Sequence, residues 1–183
     1  MKKIETIFDR DDRFRVTPRV RVGCEWVLAG EGVPTEKLDG TNVRLTIENG
    51  TIAHVEKRKN PSKEEKAQGI EPGYIDANID DPQDKHIFRA VEGTDVLSWP
   101  NGVYECEAIG PKIQGNPLGL EKPVCYPFKD IPLLLEDWMP RTFDNIKMRV
   151  LNQDSVYSPG CPAEGIVFHH PDGRMAKIKR KDF

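Results

Sequence analysis

Long apolar runs are missing from this chain of 183 residues. No stretch approaches the ~20 residues that a membrane helix needs, and the opening Met-Lys-Lys-Ile-Glu-Thr has no export-signal core. A soluble, cytoplasmic protein without a membrane partner is expected. Cysteine is sparse: Cys24, Cys106, Cys125 and Cys161 are scattered, with no CxxC pair and no histidines at zinc spacing. That argues against a disulfide framework or a metal knuckle and leaves buried, reduced thiols. Charge of one sign is not in excess, since 27 Lys and Arg meet 30 Asp and Glu for a formal net charge of -3. A polyanion must therefore be met by a local patch. There is no phosphate-binding glycine loop, no regular βαβ alternation, no internal repeat and no low-complexity linker, which speaks against Rossmann and P-loop folds.

What is present is enough apolar residue, 37% of the chain, to bury one core, so a single domain over 1–183 is expected. Basic residues cluster at Arg13, Arg15, Arg19 and Arg21 in the opening segment 1–32, at Lys57, Arg58 and Lys59, and at Lys177, Lys179, Arg180 and Lys181. The first cluster reads as a solvated face; the other two lie beside motifs.

Val43, Leu45 and Ile47 alternate with polar residues, Asn49-Gly50 suits a type I′ turn, and Ala53 and Val55 continue a second strand. A second hairpin pairs Gly165-Ile166-Val167-Phe168 with Met175-Ala176-Lys177-Ile178-Lys179 across Pro171-Asp172-Gly173. Residues 102–109 alternate as a strand with one polar side chain aimed inward, helices are expected over 84–92 and 130–139, and residues 60–84 read as a long loop. Antiparallel hairpins with a few helices make an α+β domain.

The chemistry begins at Thr35-Glu36-Lys37-Leu38-Asp39-Gly40-Thr41-Asn42, which enters the first hairpin. A lysine acts as a nucleophile only as the neutral amine, a form that neighbouring cations or desolvation favour. Lys177 and Lys179, two apart on a strand, project from one face and could supply those cations while holding a phosphate. Taken alone, Lys-x-Asp-Gly better suits a surface lysine.

Glu56-Lys57-Arg58, Tyr104-Glu105-Cys106-Glu107-Ala108-Ile109-Gly110, Glu164-Gly165-Ile166-Val167-Phe168 and Lys177-Ile178-Lys179 follow in order. This ordered set resembles the covalent nucleotidyltransferase superfamily of ATP- and NAD-dependent polynucleotide ligases and mRNA capping guanylyltransferases. Asn42, where DNA ligases and capping enzymes usually carry arginine, makes the chain similar to an RNA ligase. With Gln114-Gly115-Asn116-Pro117-Leu118-Gly119-Leu120 and Asp172-Gly173, it is similar in particular to the vertebrate type of 5′-to-3′ RNA ligase.

The resemblance implies an antiparallel-sheet nucleotidyltransferase (adenylation) domain of the ligase/ATP-grasp-like type. Lys37 would take AMP from ATP, pass it to an RNA 5′-phosphate and let a 3′-hydroxyl close the strand. Lys177 and Lys179 would contact the α-phosphate; Glu164 and Glu107 would place Mg²⁺ or Mn²⁺, oxygen ligands suiting a hard cation. Glu107 is alternatively a ribose contact, and its burial would be costly without a partner. Asp39 belongs to the nucleotide motif. Asn42 would bind phosphate, Arg58 the nucleotide or RNA end, and Glu36 would offer adenine its backbone carbonyl, leaving its side chain expendable.

Tyr126 or Phe128 would stack on adenine, the core being the commoner place for such residues. Lys112 and Gln114 are candidate RNA contacts or simple loop residues, and the His169-His170 pair is assigned no metal. The family usually adds a domain after the last lysine motif, whereas this sequence stops at Phe183; a protein partner could replace it. The alternatives are a DNA ligase or capping-type enzyme, and a non-catalytic RNA-binding module of the same fold.

Overall fold

A computed structural model describes residues 4–183; the first three residues of the basic opening segment lie outside them. In chain order the elements are β1 (Glu5–Thr6), β2 (Phe8–Arg10), β3 (Val16–Val20), α1 (Glu25–Leu28), β4 (Val33–Lys37), β5 (Thr41–Glu48) and β6 (Thr51–Lys59). Then follow α2 (Lys63–Ala67), β7 (Gly73–Asp76), α3 (Lys85–Glu92), β8 (Gly102–Ile109), β9 (Val124–Pro127), α4 (Phe143–Asn152), β10 (Gly165–His169) and β11 (Met175–Lys179). The architecture is α+β, as expected.

The described chain forms two compact units, residues 39–130 and residues 4–38 with 131–183. In the first, a five-stranded sheet runs β7-β6-β5-β8-β9. Alternation puts Val43, Leu45, Ile47, Cys106, Ala108 and Cys125 on one buried face, which Ile87 and Ala90 of α3 cover. Val43, Leu45, Ile47 and Ile87 each contribute ~1.5–3 kcal/mol of burial. The opposite face is polar, and it carries Asn42, Arg58, Glu107 and Tyr126.

The β5/β6 hairpin turns at Asn49-Gly50, where both residues have positive φ, 51° and 72°, as a type I′ turn requires. The segment read as a long loop, 60–84, is mostly loop and turn but holds two short elements. Ser62 accepts from the Glu65 backbone N–H while the Glu65 carboxylate accepts from the Ser62 N–H, a capping box that starts α2. Beyond it β7 adds to the edge of β6. Its Gly-Tyr-Ile-Asp sequence is too short to show a period, so pairing with β6 defines it.

In the second unit the sheet runs β1-β11-β10-β4, antiparallel except where β1 lies parallel to β11. Ile166, Phe168, Ala176 and Ile178 pack with Trp26, Trp138, Ile146 and Val150 in a separate core. The helix expected over 130–139 is not there. Pro132 removes a backbone donor and disfavours helical geometry at Ile131, and the Leu134 N–H donates instead to the Pro34 carbonyl at the edge of β4. The helix is α4, which starts only at Phe143, where Thr142 accepts from the Asn145 N–H and Ile146 and Val150 stand four apart on the buried side.

Of the cysteines, Cys24, Cys106 and Cys125 are buried, as expected, while Cys161 is half-buried. No helix among the described residues is long and apolar enough to cross a membrane.

Candidate nucleotide site

Register assembles the site in the second unit. Gly165 opens β10 opposite Lys37, the last residue of β4, and opposite Lys179, the last residue of β11. Its predecessor Glu164 receives both lysines. Lys37 Nζ donates to Glu164 Oε2 at 2.6 Å and to the Leu38 carbonyl at 3.1 Å, and Lys179 Nζ forms an ion pair with Glu164 Oε1 at 2.6 Å. The Glu164 side chain is 8% exposed, which by itself pushes the carboxyl pKa up; the two ammonium groups outweigh burial and hold it below the usual range.

Only glycine fits at 165, because a Cβ there would stand 2.1 Å from the Ile178 carbonyl oxygen and 2.8 Å from Lys179 Cα. The reason is close strand approach. Ala176 and Ile178 are buried, so the alternate residues Lys177 and Lys179 share the other face of β11, as the two-residue period requires.

Glu36 pairs with Ile166 on β10, and its side chain, 1% exposed, accepts from the Val156 N–H at 2.7 Å. Burial raises this carboxyl despite hydrogen bonds from Val156 and Ser155. The Glu36 side chain, read from the sequence as expendable for the nucleotide, ties the 155–157 segment to β4.

In the first unit the polar face of the sheet holds the other candidates. Asn42 on β5 pairs with Glu107 on β8, and Glu107 pairs with Tyr126 on β9, so the three side chains share one face. Arg58 lies one step past the Val43–Lys57 pair on the same face and pairs with Tyr74 of β7. Its buried Nε has no hydrogen-bond partner in the described structure. A buried guanidinium nitrogen left this way is costly unless a ligand meets it.

Glu107 is buried and accepts from the Gly40 N–H at 3.1 Å, the partner its burial demanded. Gly40 packs so closely that a Cβ would stand 2.2 Å from the Ala108 carbonyl oxygen. Asp39, half-buried, immediately precedes this glycine.

Other candidates separate from this row. Phe128 falls in a 3-10 turn past the end of β9, so Tyr126 is the aromatic that the register aligns with Glu107. Lys112 and Gln114 are exposed with positive φ, 69° and 46°. The cluster Lys57-Arg58-Lys59 divides: Lys57 bonds the buried Asp84 at 2.7 Å and Lys59 pairs with Glu65 at 2.7 Å. Only the central arginine joins the site face.

Sequence reasoning missed Tyr74, whose hydroxyl donates to Asn42 Oδ1 at 2.7 Å and whose ring lies 4.4 Å from the Arg44 guanidinium. Arg44 is itself held by both oxygens of Glu56. Nothing in an isolated Gly-Tyr-Ile-Asp marks that tyrosine.

No family model matches the sequence, and no curated protein matches it. Solved structures share the fold, RNA ligases among them. A mutant of Naegleria gruberi RNA ligase with ATP and Mn aligns with a TM-score of 0.54 and 17% identity over 97% of this chain and 59% of that one. The same ligase with PPi gives 0.53 and 18% over 99% and 59%, and another mutant with AMP and Mn gives 0.54 and 17% over 98% and 62%. The chain shares its fold with part of those structures and spans about three fifths of their length.

Proposed function

We propose that this chain is an ATP-dependent RNA ligase domain that adenylylates itself on Lys37, transfers AMP to an RNA 5′-phosphate and seals it to a 3′-hydroxyl. The observation that carries this reading is the clamp of Lys37 and Lys179 on Glu164, which sets a nucleophile, a phosphate-binding cation and a buried carboxylate within ion-pair distance. Likeness of fold to RNA ligases with ATP, AMP and PPi supports it.

The Lys37 amine, having lost a proton to solvent, attacks the α-phosphorus of ATP; an N–P bond forms and pyrophosphate leaves. Lys177 and Lys179 face the α-phosphate and neutralise the charge that builds on its oxygens. Asn42 and Arg58 hold phosphate, the unpartnered Nε of Arg58 being one available donor. Glu36 offers adenine its backbone carbonyl, Asp39 belongs to the nucleotide contacts, and Tyr126 stacks on the base in preference to Phe128. RNA enters with its 5′-phosphate and 3′-hydroxyl ends.

Mg²⁺ or Mn²⁺ fits the residues present. Glu164 is an ionised, largely buried carboxylate whose two hard oxygens, each paired here with a lysine, would turn to such an ion. Such an ion supplies positive charge beside the reacting phosphate.

The test is incubation with α-labelled ATP or GTP and Mg²⁺ or Mn²⁺, followed by denaturing electrophoresis of wild type and Lys37→Ala. ATP label lost in Lys37→Ala supports the reading and leads to nicked RNA substrates. No label at all would move it to a non-catalytic RNA-binding module, and label from GTP alone to a capping-type enzyme.

A further inference from the structure

Asn42 can hold an anion only if its amide presents nitrogen rather than oxygen. The two ends of a primary amide have nearly the same shape, so a neighbour must decide which faces outward. That neighbour is on β7. The Tyr74 hydroxyl donates to Asn42 Oδ1 at 2.7 Å, which occupies the acceptor end and leaves the two N–H donors of Nδ2 for a ligand.

The tyrosine is itself held. Its strand pairs with β6 so that Tyr74 lies beside Arg58, and the Arg44 guanidinium sits 4.4 Å from the centre of its ring. Arg44 is fixed in turn by two hydrogen bonds to Glu56, a bidentate pair that holds the guanidinium plane. The phenol is half-buried, and burial together with the charge of the Glu105 carboxylate, a second acceptor beside the hydroxyl, raises its pKa, so it remains a donor over the working pH range.

We propose that Tyr74 is a positioning residue that turns the Asn42 amide nitrogen toward phosphate, coupling the edge strand β7 to the nucleotidyl-transfer step that Asn42 serves. This inference rests on the ligase reading above. It assigns work to a segment whose sequence reads as loop, and it explains why a tyrosine ring at a sheet edge is braced by a fixed arginine.

The experiment compares wild type, Tyr74→Phe, Asn42→Ala and the double variant in two steps measured separately: uptake of label from ATP, and sealing of a nicked RNA by pre-adenylylated protein. Tyr74→Phe keeps the ring and its contact with Arg44 and removes only the hydroxyl. It is expected to slow about fivefold to tenfold the same step that Asn42→Ala slows, the size of one lost hydrogen bond, with the other step at the wild-type rate. The double variant should be no slower than Asn42→Ala.

A structural role would instead slow both steps together and lower the melting temperature. That outcome, additive losses in the double variant, or an Asn42→Ala protein unimpaired in both steps would overturn the assignment. A wild type that takes up no label overturns the ligase reading itself, whereas a labelled wild type with a silent Tyr74→Phe overturns this inference alone.

Discussion

Lys37 and Lys179 stand opposite the same glycine, Gly165, on the strands to either side of it, and each pairs with a different oxygen of Glu164 at 2.6 Å. Two ammonium groups on one carboxylate leave the trio with a net charge of +1. Such an excess suits an anionic ligand, and neither lysine alone would provide it beside Glu164.

Glu164→Gln should expose the balance. The folded carboxyl lies below the ordinary glutamate value, so its stabilisation is present above about pH 4.3 and is lost as pH falls through the folded value. Urea unfolding should show the variant weaker by roughly 1–3 kcal/mol at pH 7, because both lysines keep some solvent, with the difference shrinking below pH 4. An unchanged difference at low pH would refute the ion-pair account.

Gly165→Ala should be severe. The added Cβ meets backbone on β11, which cannot move without separating the strands, so a loss of about 2–4 kcal/mol is expected. Labelling from ATP should fall with it, since the strand that separates carries Lys179. A Gly165→Ala protein with wild-type melting and labelling would show that β10 and β11 are not packed so closely.

Glu36→Gln keeps an acceptor for the Val156 N–H, whereas Glu36→Ala removes it. The alanine variant should lose about 1–3 kcal/mol by leaving a buried donor unpaired. The glutamine variant should lose less, and it escapes the penalty that a buried carboxyl with a raised value carries as pH climbs above the ordinary glutamate range. Thermal melting at pH 5 and pH 8 separates the two.

Arg141 is wholly buried, with its guanidinium on the carbonyls of Val27, Glu31 and Gly32 and its Nε on Glu136. Arg141→Met should cost about 3 kcal/mol or more, chiefly through the abandoned carbonyls. Arg141→Lys should recover only part of this, since one ammonium cannot span the fork. Equal stability of the lysine variant and wild type would count against the geometry.

Thiol chemistry should separate the cysteines. Burial holds the Cys125 thiol up at about 11 and raises Cys106 and Cys24, so native alkylation at pH 8 should modify the half-buried Cys161 first. Mass spectrometry of partly alkylated protein reads this out, and early modification of Cys106 would contradict its place in the core.

Sequence alone determined the features that depend on near neighbours. The Asn49-Gly50 hairpin, the Gly165–Lys179 hairpin, the strand before Ile109 and the helix ending at Glu92 follow from alternation, helical spacing and turn chemistry within a few residues. The capping box at Ser62 and the Ile146–Val150 spacing after Thr142 were equally local; the first was obscured by surrounding polar residues and the second by the louder run Leu133-Leu134-Leu135. Tertiary structure decided what depends on distant partners. That run became the edge of β4 because Pro34 offered it a carbonyl, β7 became a strand because β6 offered it an edge, and Tyr74 thereby reached Asn42. Likewise Lys37 meets Glu164, 127 residues away, only through strand register, a property of pairs of segments that no window along one segment contains.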